Sequence, residues 1–239
     1  MTSVPMAYRR VLLKLSGEAL SGGRESGVDT TTLDRLAGEV VQAVRAGVQV
    51  ALVIGGGNYF RGLSSVGRTF ERATADTVGM LATTMNALIF QDALERGGIE
   101  ARVMSAIEMP RVAELFVRRE AIRHLEKGRV VLCSGGTGHP YFSTDSGAAL
   151  RALEIHADAI LKGTKVEGVY SADPVKVPDA TLFERIRYQE VLEGGLAVMD
   201  ATAVALCMDN RMPLHVFSIR TPGNIMRVLR GERIGTVVS

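Results

Sequence analysis

The 239-residue chain sets 28 Lys and Arg against 26 Asp and Glu, a formal net charge of +2, with 46% apolar and 23% charged residues. That suffices for one large α/β domain, and the near-neutral balance offers no field to draw nucleic acid or a membrane surface. With no Trp and 5% aromatic residues, stacking platforms for single-stranded nucleic acid are few.

Further classes fall away. Cys133 and Cys207 lie far apart with no CxxC spacing, which argues against a disulfide framework or zinc ribbon and fits a reducing, cytoplasmic setting. The apolar run after Arg9 and Arg10 breaks at Lys14, too early for a signal-peptide core. No stretch approaches the roughly 18 uninterrupted apolar residues of a membrane span. Glycine is the outlier: 26 residues, about 11% of the chain, with only 7 Pro, so the excess is not a disordered composition.

Strand-like and helix-like patterns alternate along the chain. Val11 to Leu15 reads as a buried strand followed by Gly17. Leu33, Leu36, Ala37, Val40, Val41 and Val44 form one apolar helical face, with Thr31 and Asp34 as a capping pair and Gly47 as the stop. Val48 to Ile54 is a second strand running into Gly55-Gly56-Gly57-Asn58. A helix over about 74–96 stops at Gly97-Gly98, and a strand covers 99–105. A helix near 119–127 stops at Gly128, and a strand at 129–133 enters Ser134-Gly135-Gly136-Thr137-Gly138. A helix over about 144–156 and a strand at 159–162 follow, then a turn-rich segment over 163–181. Two shorter helices and strands at 214–218 and 236–238 complete the chain. The alternation predicts a parallel or mixed sheet covered by helices on both faces, with ligands outside the carboxyl ends of the strands.

Four segments at those ends carry candidate chemistry. Lys14-Leu15-Ser16-Gly17 can bring an ammonium and backbone N–H groups to a phosphate. Read alone it is better described as an exposed lysine before a turn, but a lysine inside an apolar strand needs an anionic partner. Gly55-Gly56-Gly57, with Arg61 and Gly62, permits close backbone approach; Phe60 breaks the dinucleotide fingerprint, and no Gly-Lys dipeptide exists to form a Walker loop. Gly135 to Pro140, continuing through Tyr141, Phe142, Ser143, Thr144 and Asp145, supplies donors without bulk, with Asp145 in the first turn of a helix. Lys162 to Pro174 holds two lysines, Tyr170 and Asp173, and reads equally as a polar hairpin.

His124, His139, His156 and His215 form no zinc pair, and no nucleophile elbow or Cys–His arrangement stands out. Cations and glycine loops without an evident general base fit phosphoryl transfer, where positioning and charge neutralisation dominate.

The segments LLKLSGEAL (12–20), VIGGGNYFRG (53–62), DTVGMLATTMNAL (76–88), TGHPYFSTDS (137–146) and LKGTKVEGVYSADP (161–174) resemble the bacterial uridylate (UMP) kinases, within the amino acid kinase superfamily. The resemblance runs from Tyr8 to Val238. It implies a three-layer αβα sandwich with a mostly parallel central sheet, built as a single domain over 1–239 whose N-terminal part binds mainly UMP and C-terminal part mainly ATP. It implies transfer of the ATP γ-phosphate to UMP with Mg²⁺, for which no protein ligand is assigned.

Carried over by position, the resemblance places Lys14, Leu15, Ser16, Gly17, Gly57 and Arg61 at the ATP phosphates, and Thr164, Tyr170 and Asp173 at its nucleoside. Gly56, Asp76, Thr137, Gly138, His139, Pro140, Tyr141, Phe142, Ser143 and Thr144 would bind UMP, with Asp76 on the ribose hydroxyls. Lys14, Lys162 and Arg61 would be catalytic, with Asp145 orienting the lysines. It further implies a cytoplasmic homohexamer inhibited by UTP and activated by GTP through Arg102 and Arg129, although Gln91 and Glu95 stand where some members carry basic residues.

The weighed alternatives are a kinase of a carboxylate or carbamate, such as acetylglutamate kinase, and a non-catalytic nucleotide sensor on the same fold. Ten glycines (17, 55, 56, 57, 62, 135, 136, 138, 163 and 168) fall in the proposed substrate loops.

Overall fold

The computed structural model of the chain describes residues 6–60, 69–174, 176–177 and 179–239. In chain order the elements are β1 (Arg10–Leu15), a 3-10 turn (Gly17–Ala19), α1 (Thr30–Arg45), β2 (Gln49–Ile54), α2 (Arg72–Arg96), β3 (Ala101–Ser105), β4 (Glu114–Leu115), α3 (Arg118–Glu126) and β5 (Val130–Ser134). They continue as α4 (Thr144–Glu154), β6 (Ala159–Thr164), β7 (Arg185–Ile186), α5 (Tyr188–Glu193), α6 (Ala201–Asp209), β8 (Leu214–Ser218), α7 (Asn224–Leu229) and β9 (Thr236–Val238).

The strands form one sheet in the order β4-β3-β5-β2-β1-β6-β8-β9-β7. Every adjacent pair is parallel except β8 with β9. The continuous apolar runs of β1, β2 and β5 suit strands covered on both faces. Strand side chains alternate between faces, and the two cores record that alternation. Val11, Leu13 and Leu15, with Val50, Leu52 and Ile54, pack with α1, α2 and α7. Leu12, Ala51 and Val53 pack with α3, α4, α5 and α6. Wholly buried side chains such as Leu36, Phe90 and Leu125 hold the layers to the sheet, each stabilising the fold by roughly 1.5–3 kcal/mol. The result is the expected αβα sandwich.

Local boundaries differ instructively from the sequence reading. The cap of α1 is Asp29, not Thr31: Asp29 accepts the Thr32 N–H at 2.8 Å, while its own N–H donates to the Leu20 carbonyl at 2.7 Å. That tether starts the helix before Thr31. β6 runs two residues beyond Lys162, because Gly163 and Thr164 pair with Phe217 and Ser218 of β8. α4 ends at Glu154, and His156 has a left-handed φ of 55°. The two-residue strands β4 and β7 had no sequence counterpart.

Candidate active site

Parity fixes the central feature. Lys14 follows Leu12 on β1 and Lys162 follows Ile160 on β6, so both side chains lie on the α4 side of the sheet, and the two residues are register partners. Lys14 is 7% exposed, and the partner that its burial demands is present. Its Nζ lies 2.5 Å from Asp145 Oδ1, while Lys162 Nζ lies 2.8 Å from Asp145 Oδ2. Lys162 also donates to the Val198 carbonyl at 2.5 Å.

Asp145 sits in the first turn of α4, where Ser143 caps the helix by accepting the N–H groups of Asp145 and Ser146. Asp200 accepts from Ser143 and Ser146 hydroxyls and caps α6 through the Ala203 N–H. One carboxylate thus ties the starts of both helices together.

Burial raises the Asp145 pKa, but the charges of Lys14 and Lys162 outweigh it and hold the carboxyl below its ordinary range. Burial lowers the Lys162 pKa, and Asp145 opposes that shift. At an effective dielectric of about 20, unit charges 4 Å apart attract by roughly 4 kcal/mol, comparable with the cost of desolvating each ion. Lys14 and Lys162 bring two ammonium groups to the strand ends, where an anion would be stabilised, with Asp145 between them and Asp200 a further negative charge acting on Lys162.

The loops beside this charge are packed backbone against backbone. A Cβ on Gly17 would come within 2.5 Å of the Gly55 oxygen and 2.8 Å of the Gly57 nitrogen, and one on Gly56 would sit 2.7 Å from Ala82 Cβ. Both positions therefore exclude a side chain. Leu15 contributes its backbone: its side chain is in the core, and its carbonyl accepts the Gly55 N–H at 2.9 Å. Ser16 opens the 3-10 turn in an extended conformation.

Residues 135–143 connect β5 to α4. Asp76 Oδ2 accepts the Tyr141 N–H and the Arg72 Nε, each at 2.8 Å. Arg72 lies 5.5 Å from the Tyr141 ring centroid. Tyr141 itself has a φ of 72°, rare for a side-chain-bearing residue, and local backbone strain of this kind clusters at binding sites. His139, Tyr141 and Phe142 are exposed, and Thr137 Oγ1 bonds within the loop to His139.

A family model described as the amino acid kinase family matches residues 9–218. The chain belongs to the amino acid kinase family. Among solved structures, UMP kinase from Bacillus anthracis superposes with a TM-score of 0.94 at 37% identity, covering 97% of this chain and 96% of that one. UMP kinase from Ureaplasma parvum gives 0.91 at 36%, covering 98% and 100%. Uridylate kinase from Archaeoglobus fulgidus gives 0.75 at 30%, covering 96% and 99%.

The remaining residues of this amino acid kinase fold distribute as follows. Thr164 ends β6, its hydroxyl donating to the Val166 carbonyl at 2.6 Å. Tyr170 pairs with Leu182 in an antiparallel bridge, and the Asp173 carbonyl accepts the N–H of Lys176 and Val177. Arg61 and Gly62 lie outside the described residues. Arg102 and Arg129 are not brought to the lysines: both engage Glu100, at 3.2 and 2.8 Å, near the far edge of the sheet. Gln91 donates to Glu95 at 3.1 Å beside them. Among the described residues, no group of three or more His, Cys, Asp or Glu could hold a metal ion, and no helix is long and apolar enough to cross a membrane.

Sequence reasoning missed Asp200, Thr83 and Asn86. The signal for the last two was the polar run Thr83-Thr84-Met85-Asn86 in the middle of a long helix.

Proposed function

We propose that this chain transfers the γ-phosphoryl group of ATP to the phosphate of UMP, giving UDP and ADP. The observation that carries the reading is the buried Lys14 and the partly buried Lys162 sharing Asp145 beside close-packed glycine loops. An oxygen of the UMP phosphate forms the new bond to the γ-phosphorus as the bond to the β,γ-bridging oxygen breaks. The acceptor is already ionised, so no base is required, in keeping with a central carboxylate engaged by two ammonium groups. Lys14 and Lys162 neutralise charge on the transferring group and on departing ADP; losing one such donor raises a barrier by roughly 3–4 kcal/mol.

Ser16, Gly17 and Gly57 present backbone to the ATP phosphates, and Thr164, Tyr170 and Asp173 border its nucleoside. Gly56, Asp76 and residues 137–144 receive UMP. In this reading 1–239 is a single domain, its N-terminal part serving mainly UMP and its C-terminal part mainly ATP. Mg²⁺ carried on the ATP phosphates would add charge neutralisation; it keeps several water ligands in such sites, and Asp145, taken by the lysines, is not assigned to it.

The same reading makes the protein a cytoplasmic homohexamer, inhibited by UTP and activated by GTP at Arg102 and Arg129. An exposed apolar stripe on α2 supports self-association, whereas Gln91 and Glu95 stand where some members carry basic residues.

The test is ADP release with MgATP and, in parallel, UMP, CMP, AMP or N-acetylglutamate, repeated with GTP and UTP. UMP-dependent release, slowed by UTP and raised by GTP, is expected. Absence of UMP-dependent turnover overturns the activity, and turnover indifferent to GTP and UTP overturns the regulation.

A further inference from the structure

We propose that Thr83 and Asn86, two buried polar residues of α2 hydrogen-bonded to the loops leaving β5 and β2, are positioning residues that set the separation of the donor and acceptor loops. The inference rests on the assignment of those loops to ATP and UMP above. Thr83 is 3% exposed and Asn86 is fully buried, in the middle of a helix whose neighbouring turns present Phe90 and Leu94 to the core. A polar side chain buried there is costly unless hydrogen-bonded, and both are bonded outward to loops.

Thr83 Oγ1 donates to the Met80 carbonyl of its own helix at 2.6 Å and accepts the Gly135 N–H at 2.8 Å. That fixes the entry of the loop leaving β5. Asn86 Nδ2 donates to the Gly55 carbonyl and to Asn58 Oδ1, each at 2.7 Å. Asn58 returns the contact to Asn86 Oδ1 at 3.0 Å and also reaches the Gly27 carbonyl at 2.9 Å. That fixes the loop leaving β2.

Residues three apart share a helix face and are separated by roughly 4.5 Å along the axis. β2 and β5 are adjacent strands, so one rigid face of α2 spans the gap between their loops. The glycines there have no side chains with which to hold position, and the helix supplies the anchors instead. Because α2 also carries Asp76, bonded to the Tyr141 N–H, the acceptor loop is held by the same helix at both of its ends.

The experiment compares wild type with Thr83→Val, which preserves shape but leaves the Gly135 N–H unpaired, with Thr83→Ser, which keeps the hydroxyl, and with Asn86→Leu. For Thr83→Val, the KM for UMP rises roughly fivefold to tenfold while kcat and the KM for ATP stay within about twofold. Amide exchange over 135–138 quickens, and Thr83→Ser restores both readouts. For Asn86→Leu, both Michaelis constants rise.

Equal rises in both constants for Thr83→Val, an unchanged KM for UMP, or unaltered constants in Asn86→Leu would overturn the inference. If Thr83→Val does not fold, Thr83→Ala carries the same expectation. If wild type shows no UMP turnover, the proposed activity fails, and exchange alone decides: acceleration confined to 135–138 supports the positioning role, and a uniform change contradicts it.

Discussion

Two ammonium groups sharing one carboxylate make Asp145 the residue on which the local charge balance turns. Burial lowers the Lys162 pKa, and the Asp145 charge is the main influence restoring it. Replacing Asp145 by Asn therefore leaves two adjacent buried cations, and Lys162 loses its proton at a lower pH. In Asp145→Asn, kcat is expected to fall at least roughly a hundredfold, the scale of losing correctly placed charge stabilisation in the transition state. The alkaline limb of the pH–rate profile moves to lower pH; an unshifted limb contradicts the assigned role. Stability gives a second readout of the same residue. Its folded pKa lies below the ordinary 3.8, so its contribution is complete above that value and is lost as pH falls through the lower folded value. Urea midpoints of wild type and variant should converge in acid. Lys14 was legible because a charge amid Leu12, Leu13 and Leu15 demands a partner. Asp200 was not, since an aspartate before a short helix looks like any cap, and its bond to Ser143 joins residues 57 apart in sequence.

At the scale of elements, α2 has two working faces. One carries Thr83 and Asn86 to the glycine loops leaving β5 and β2; the other exposes Val78, Leu81 and Met85 at i, i+3 and i+7. An apolar stripe of this spacing is of the kind that packs against another helix, and β4 at the edge of the sheet also exposes Leu115. If the proposed homohexamer forms through this face, Leu81→Asp combined with Met85→Asp converts it to smaller particles in sedimentation velocity, with secondary structure retained. An unchanged sedimentation coefficient would remove this face from the interface. Long elements were legible from period: the apolar face of α1 and the runs of β1 and β2 each bury what their spacing predicts. β4 and β7, two residues each, are too short to establish a period. They form because neighbours present them with partners, as when β9 pairs with both β7 and β8.

At the scale of the molecule, a parallel sheet gathers the ends of β1, β2, β5 and β6 along one edge, and the glycine excess is concentrated there. Alternation of strands and helices foretold the layers, but not the strand order. Nothing local to residues 10–15 states that β6, almost 150 residues later, will lie beside them and align Lys162 with Lys14. That register converts two ordinary lysines into one charged site. The measurement that tests this most directly is UMP-dependent ADP formation by Lys14→Ala beside wild type, with UMP binding followed by calorimetry on the same samples. Turnover should drop at least roughly a hundredfold while UMP affinity stays near that of wild type. Near-normal turnover, or loss of rate explained entirely by lost UMP binding, would contradict the account.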